Sequence, residues 1–122
     1  MEQKKILLVD DEEEVLEYLG NILRRNNYDV LTAAEGKEAI RLAQTQRPAL
    51  ILLDVLLPDM DGAQVAFTLE QSDATKAIPI IFLTGILTKE EQAPDKKTGT
   101  HYTIAKPAEA EEVLSKISEI LG

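Results

Sequence analysis

A chain of 122 residues has room for one domain with a single core, within the usual range of roughly 50 to 200 residues, and its 44% hydrophobic content suits one. Two Phe, three Tyr and no Trp leave aliphatic side chains to build that core, and the absence of cysteine rules out disulfides, thiolate nucleophiles and zinc–thiolate sites. Thirteen basic residues against 22 acidic ones give a formal net charge of −9, which speaks against direct nucleic-acid binding and for solubility, divalent cations or a basic partner.

The chain opens with MEQKKILLVDDEEE, two lysines and a short apolar run that acids end at once; this is a first strand, Lys5–Asp10, not a signal peptide. EEVLEYLGNILRRN then places Val15, Leu19, Ile22 and Leu23 on one helical face, and Arg24 and Arg25 suit the negative end of its dipole. DVLTA (Asp29–Ala33) reads as a second strand, and EAIRLAQ gathers Ala39, Ile40 and Ala43. LILLD (Leu50–Asp54) is a third strand, followed by AQVAFTLEQ with Val65, Ala66 and Leu69. IIFLT (Ile80–Thr84) is a fourth. The next segment, Thr88 to Gly99, has few apolar anchors and contains Pro94, so the fourth helix is expected to be short or mobile. HYTIA (His101–Ala105) closes the strands, and a last helix lines up Val113, Ile117, Ile120 and Leu121.

The first, third and fourth strands are near-continuous apolar runs, as strands covered on both faces should be. Strand and helix alternating along the chain predict a parallel sheet with helices on both faces, and such sheets bind ligands at the carboxyl ends of their strands. No apolar run approaches the ~18 residues of a membrane helix, and a cytoplasmic protein without membrane association is expected.

That geometry explains the one carboxylate in the apolar stretch ALILLDVLL: Asp54 ends the third strand and stands on the functional rim. The first strand ends in Asp10-Asp11, the fourth in Thr84-Gly85, and the fifth leads into Lys106-Pro107. Gathered carboxylates repel and raise at least one pKa unless a cation intervenes. Magnesium takes oxygen ligands, usually one or two carboxylates plus phosphate oxygens. Metal, ammonium and hydroxyl beside a carboxylate are the parts of phosphoryl transfer, and a carboxylate attacking phosphorus yields an aspartyl phosphate. Taken singly, Asp10-Asp11 reads equally well as turn and helix-cap residues, and Thr84-Gly85 as a strand-end turn; Glu12-Glu13-Glu14 reads as a solvated helix start. Together, at the ends of four strands, Asp10-Asp11, Asp54, Thr84-Gly85 and Lys106-Pro107 read as one site.

The segments ILLVDDE, LILLDVLLPDMDG, IPIIFLTG and IAKP make the whole chain, residues 1–122, resemble the receiver domain of two-component response regulators. The resemblance implies a flavodoxin-like, doubly wound five-stranded parallel sheet in the order 2-1-3-4-5. It implies that Asp54 is the phosphoacceptor, taking its phosphoryl group from a phosphohistidine of a histidine kinase or histidine phosphotransfer protein. Asp11 matches a direct ligand of Mg2+ (or Mn2+), Asp10 the carboxylate orienting the metal's water, and Leu56 a ligand through its backbone carbonyl. Lys106 matches the lysine that pairs with phosphoryl oxygens, Thr84 the switch hydroxyl, and Gly85 an assisting N–H. The Lys106–Pro107 bond is implied to be cis, and Pro58 and Gly62 match the loop after the third strand. A downstream effector protein or output domain is implied, with the chain a monomer or a phosphorylation-dependent homodimer.

Several positions depart from that pattern. Thr103 stands where the family usually carries an aromatic residue, and Tyr102, one place earlier in the strand, faces the other way. Ala108 stands where a phenylalanine usually follows the lysine–proline pair, and the fourth-helix segment is unusually polar. Leu56 and Ile86 are apolar where polar residues can orient a hydrolytic water, which predicts either slow phosphoryl loss or simple shielding of the rim without kinetic consequence. His101, the only histidine, reads as surface. Two other functions compete. An aspartate-nucleophile phosphatase of the haloacid-dehalogenase type would want an acid two residues after the nucleophile, where Leu56 stands. A pseudo-receiver, a phosphorylation-independent binding module, would not need the intact acceptor, acidic pair, threonine and lysine.

Overall fold

In the computed structural model, which describes residues 3–85, 97–98 and 101–122, the elements follow as β1 (Lys5–Val9), α1 (Glu13–Arg25), β2 (Asp29–Ala33), α2 (Gly36–Gln46), β3 (Leu50–Asp54), α3 (Gly62–Glu70), β4 (Ile80–Thr84), β5 (Lys97–Thr98), β6 (His101–Ala105) and α4 (Ala110–Leu121). The five longer strands pair in parallel in the order β2-β1-β3-β4-β6, the expected doubly wound arrangement. The sheet's strands alternate their side chains between two cores. Ile6, Leu8, Leu50, Leu52, Ile81, Leu83 and Ile104 face Leu19 and Leu23 of α1 and Val113 and Ile117 of α4. Leu7, Val9, Ile51, Leu53 and Ile80 face Ala39 and Ala43 of α2 and Val65, Ala66 and Leu69 of α3. Every residue of β3 is buried, which is why its sequence shows no alternation. Emptying such a position, as in Leu52→Ala, removes a side chain with 0% exposure and costs on the order of 3 kcal/mol.

The helical faces read from the sequence hold except at Ile22, which is half-buried and belongs to neither core, while Val15, Ile40, Ile120 and Leu121 pack at the margins of the cores. One local difference appears at the edge of the sheet. Lys97 and Thr98, placed in the fourth-helix segment by the sequence, pair antiparallel with Tyr102 and His101. They carry no apolar side chain to anchor a helix, whereas the open row of N–H and C=O groups on β6 offers them partners. The remainder of the fourth-helix segment, with Ile86 and Pro94, lies outside the described residues. Among the described residues no helix is long and apolar enough to cross a membrane.

The loop after β3 is tied down from two sides. Asp61 caps α3 in a reciprocal box, its carboxylate accepting the Gln64 N–H at 2.9 Å while the Gln64 side chain accepts the Asp61 N–H at 3.2 Å. Asp59 reaches across to α2, whose own N-cap residue Glu35 makes no capping bond, and accepts the N–H groups of Gly36 at 2.7 Å and Lys37 at 3.0 Å. Gly62 enters α3 so close to β3 that a Cβ there would lie 2.7 Å from the Asp54 carbonyl oxygen.

Candidate functional site

Three side chains continue the α1/α4 side of the sheet past the end of its apolar rows: Asp10 two residues after Leu8, Asp54 two after Leu52, and Lys106 two after Ile104. The strand ladders hold their backbones in place. The Asp10 N–H donates to the Ala33 carbonyl at 3.1 Å, the Val55 N–H to Leu83 at 3.3 Å and the Lys106 N–H to Thr84 at 2.8 Å. The peptide bond between Lys106 and Pro107 is cis.

The two aspartates are held by the same local device. Asp10 Oδ1 accepts the N–H of Glu12 at 2.9 Å, and Asp54 Oδ1 accepts the N–H of Leu56 at 3.3 Å. Aspartate commonly binds the amide two residues on in this way, and it leaves the second oxygen of each carboxylate to point into the site. There Lys106 Nζ stands 2.8 Å from Asp10 Oδ2 and 3.2 Å from Asp54 Oδ2. A third carboxylate joins them, Glu12 Oε1 at 3.4 Å. Asp10 is completely buried and Asp54 is 7% exposed, so their charges depend on this one ammonium.

Burial, and then the charge of Asp10, push the Asp54 carboxyl above the usual aspartate range, against the opposing pull of Lys106 and the Leu56 N–H. Burial works against the charge of Lys106, yet the close contact with Asp10 and the negative charges of Asp10 and Asp54 outweigh it and hold the ammonium well above the ordinary lysine value. The site is therefore an excess of carboxylate around a permanently charged lysine.

Oxygen atoms of Asp10, Asp11 and Glu12 lie within 4.8 Å of one another. Asp10 Oδ2 is buried and, despite the ammonium nearby, receives no well-directed hydrogen bond. An all-oxygen, acid-rich donor set with one incompletely satisfied buried oxygen fits a hard divalent cation. Asp54 is brought to this group through Lys106. Thr84, 4% exposed, ends β4 beside Lys106, and Gly85 follows it on the surface, where a side chain would meet none of the described residues within 4 Å. Leu56 stands on the rim, 65% exposed. Thr103 pairs with Phe82 in the sheet, whereas Tyr102 lies on the α1/α4 side with Lys116 Nζ 5.8 Å from its ring centre.

Two contributors were not singled out in the sequence. Glu12 belongs to an acidic run that reads as a helix start, and only the return of Lys106 from the far end of the chain gives it a partner. Asp59 carries no local signal, since the helix it caps lies 23 residues earlier in the chain.

A sequence profile described as the response regulator receiver domain matches residues 6–118. The alkaline phosphatase synthesis transcriptional regulatory protein PhoP of Bacillus subtilis is 39% identical over 118 residues, 97% of this chain and 48% of that protein. The transcriptional regulatory protein SrrA of Staphylococcus aureus is 36% identical over 117 residues, 96% of this chain and 47% of its own length. The chain thus spans about half the length of these curated relatives. Among solved structures, the chemotaxis response regulator CheY4 of Vibrio cholerae superposes with a TM-score of 0.83 at 29% identity, covering 97% of this chain and 98% of that one. With its sheet order, its rim of acids around one lysine and the profile match in agreement, the chain belongs to the response regulator receiver domains, the signalling modules of two-component systems.

Proposed function

We propose that Asp54 accepts a phosphoryl group from the phosphohistidine of a histidine kinase or phosphotransfer protein, and that residues 1–122 are the receiver unit that performs this step. The observation that carries the reading is the single Lys106 ammonium shared by Asp54 and Asp10 at the carboxyl ends of three strands. In the transfer, a carboxylate oxygen of Asp54 attacks phosphorus, the P–N bond breaks with its electron pair passing to the imidazole, and an acyl phosphate forms. Lys106 then follows the negative charge from the carboxylate onto the phosphoryl oxygens, while the Thr84 hydroxyl and the Gly85 N–H donate to them. Asp10, Asp11, Asp54 and the Leu56 carbonyl would hold a magnesium or manganese ion, which supplies further neutralisation of the phosphoryl charge. The raised Asp54 carboxyl and the incompletely bonded Asp10 oxygen support such a cation.

In this reading the protein catalyses only its own phosphorylation and dephosphorylation, and it signals by shifting a pre-existing equilibrium of the rim toward a state recognised by an effector protein or output domain. A cytoplasmic location follows from that exchange with kinase and effector. Intact mass after incubation with acetyl phosphate, with and without magnesium, on wild type and Asp54→Asn tests it. One added phosphoryl group that requires both magnesium and Asp54 is expected. No addition by a folded protein under any condition would refute the reading and favour a phosphorylation-independent binding module.

A further inference from the structure

We infer that Glu12 is a positioning residue, a counter-ion that occupies Lys106 in the resting protein and has to release it to the phosphoryl group. The inference rests on the reading of Asp54 as phosphoacceptor. An ammonium has three N–H donors. Three carboxylates surround this one: Asp10 at 2.8 Å, Asp54 at 3.2 Å and Glu12 at 3.4 Å. Lys106 donates to Glu12 and Asp54 and pairs electrostatically with Asp10, so its charge is already shared among three carboxylates and arriving phosphoryl oxygens must compete with them for it.

The three contacts are not equally easy to break. The Asp10 side chain is fully buried and Asp54 is the group being modified, whereas the Glu12 side chain is 63% exposed and makes the longest of the three contacts. Water can replace the ammonium at Glu12 at little cost, as for most exposed ion pairs. The carboxylate already faces solvent, so it can turn away from Lys106 without being buried. Glu12 is thus the contact that yields. Until it does, its negative charge stands next to the path of an anionic phosphodonor, so it slows the approach and delays the lysine together.

The Glu12 side chain makes no capping hydrogen bond to α1, and its contact with Asp10 runs through the backbone N–H. Glu12→Gln and Glu12→Ala therefore leave the helix start intact. Phosphorylation by acetyl phosphate is followed by intact mass at saturating magnesium, first at low ionic strength and then in about 1 M NaCl, where screening acts within about 3 Å. At low salt both variants are expected to be phosphorylated roughly two- to five-fold faster than wild type, the effect of one exposed ion pair. In high salt the rates should converge. A Glu12→Gln rate equal to or below wild type at low salt would overturn the inference, as would an acceleration undiminished by salt. Wild type taking no phosphoryl group at all would remove the Asp54 reading and this inference with it; a phosphorylated wild type with unaltered variants removes this inference alone.

Discussion

Gly62→Ala presses directly on the backbone of the residue proposed to carry the phosphoryl group. The added Cβ would lie 2.7 Å from the Asp54 carbonyl oxygen and 3.0 Å from Val55 Cα. Both are backbone atoms, so no side chain can rotate away, and either α3 or the end of β3 has to move. Overpacking of this kind costs ~1–3 kcal/mol, and the better helix propensity of alanine offsets up to ~1 kcal/mol of it. A net loss of up to about 3 kcal/mol lowers the melting temperature by several degrees in a domain of this size and leaves it folded. Function should suffer more than stability. The same movement displaces the carboxylate whose Oδ1 is held by the Leu56 N–H and whose Oδ2 lies 3.2 Å from Lys106, and a misplacement approaching 1 Å costs on the order of 100-fold in rate. We expect acetyl phosphate labelling slowed about ten-fold or more in a protein with native circular dichroism. Gly85→Ala is the control for stability, since a Cβ there meets nothing within 4 Å among the described residues and its melting temperature should match wild type. A Gly62→Ala protein that melts and labels like wild type would refute the reasoning.

Asp59→Ala should lower the melting temperature at pH 7, because the amides of Gly36 and Lys37 lose their acceptor and α2 loses its cap. Those two N–H groups hold the Asp59 carboxyl below its ordinary value, so its contribution is present above the ordinary aspartate range and is lost as pH falls through the lower folded value. The gap between wild type and Asp59→Ala in thermal melts should therefore close on acidification; a gap unchanged down to acid unfolding would argue against the cap. Leu56→Asn places a polar side chain able to orient water at the exposed rim beside Asp54, and we expect the phosphorylated protein to decay several-fold faster than wild type. Equal half-lives would show that Leu56 does not govern the lifetime.

The sequence by itself determined the five parallel strands, which residues of each helix face the sheet, and the roster of Asp10, Asp11, Asp54, Thr84, Gly85 and Lys106 on one rim. Those features follow from short-range regularities: apolar runs of strand length, helical spacing, and the rule that the carboxyl ends of parallel strands share an edge. Tertiary structure decided what that list could not contain. Lys106 meets Glu12 across 94 positions, and Asp59 caps a helix that begins 23 residues before it. Neither contact leaves a trace in local pattern, since each depends on where two loops come to rest. Lys97 and Thr98 join the sheet edge for the same reason: a polar pair has weak preference of its own, and the open hydrogen-bonding row of β6 makes the choice. The division of labour at Asp54 and Asp10 is likewise three-dimensional, one oxygen of each held by its own chain and the other turned to a lysine that arrives from the far end of the fold.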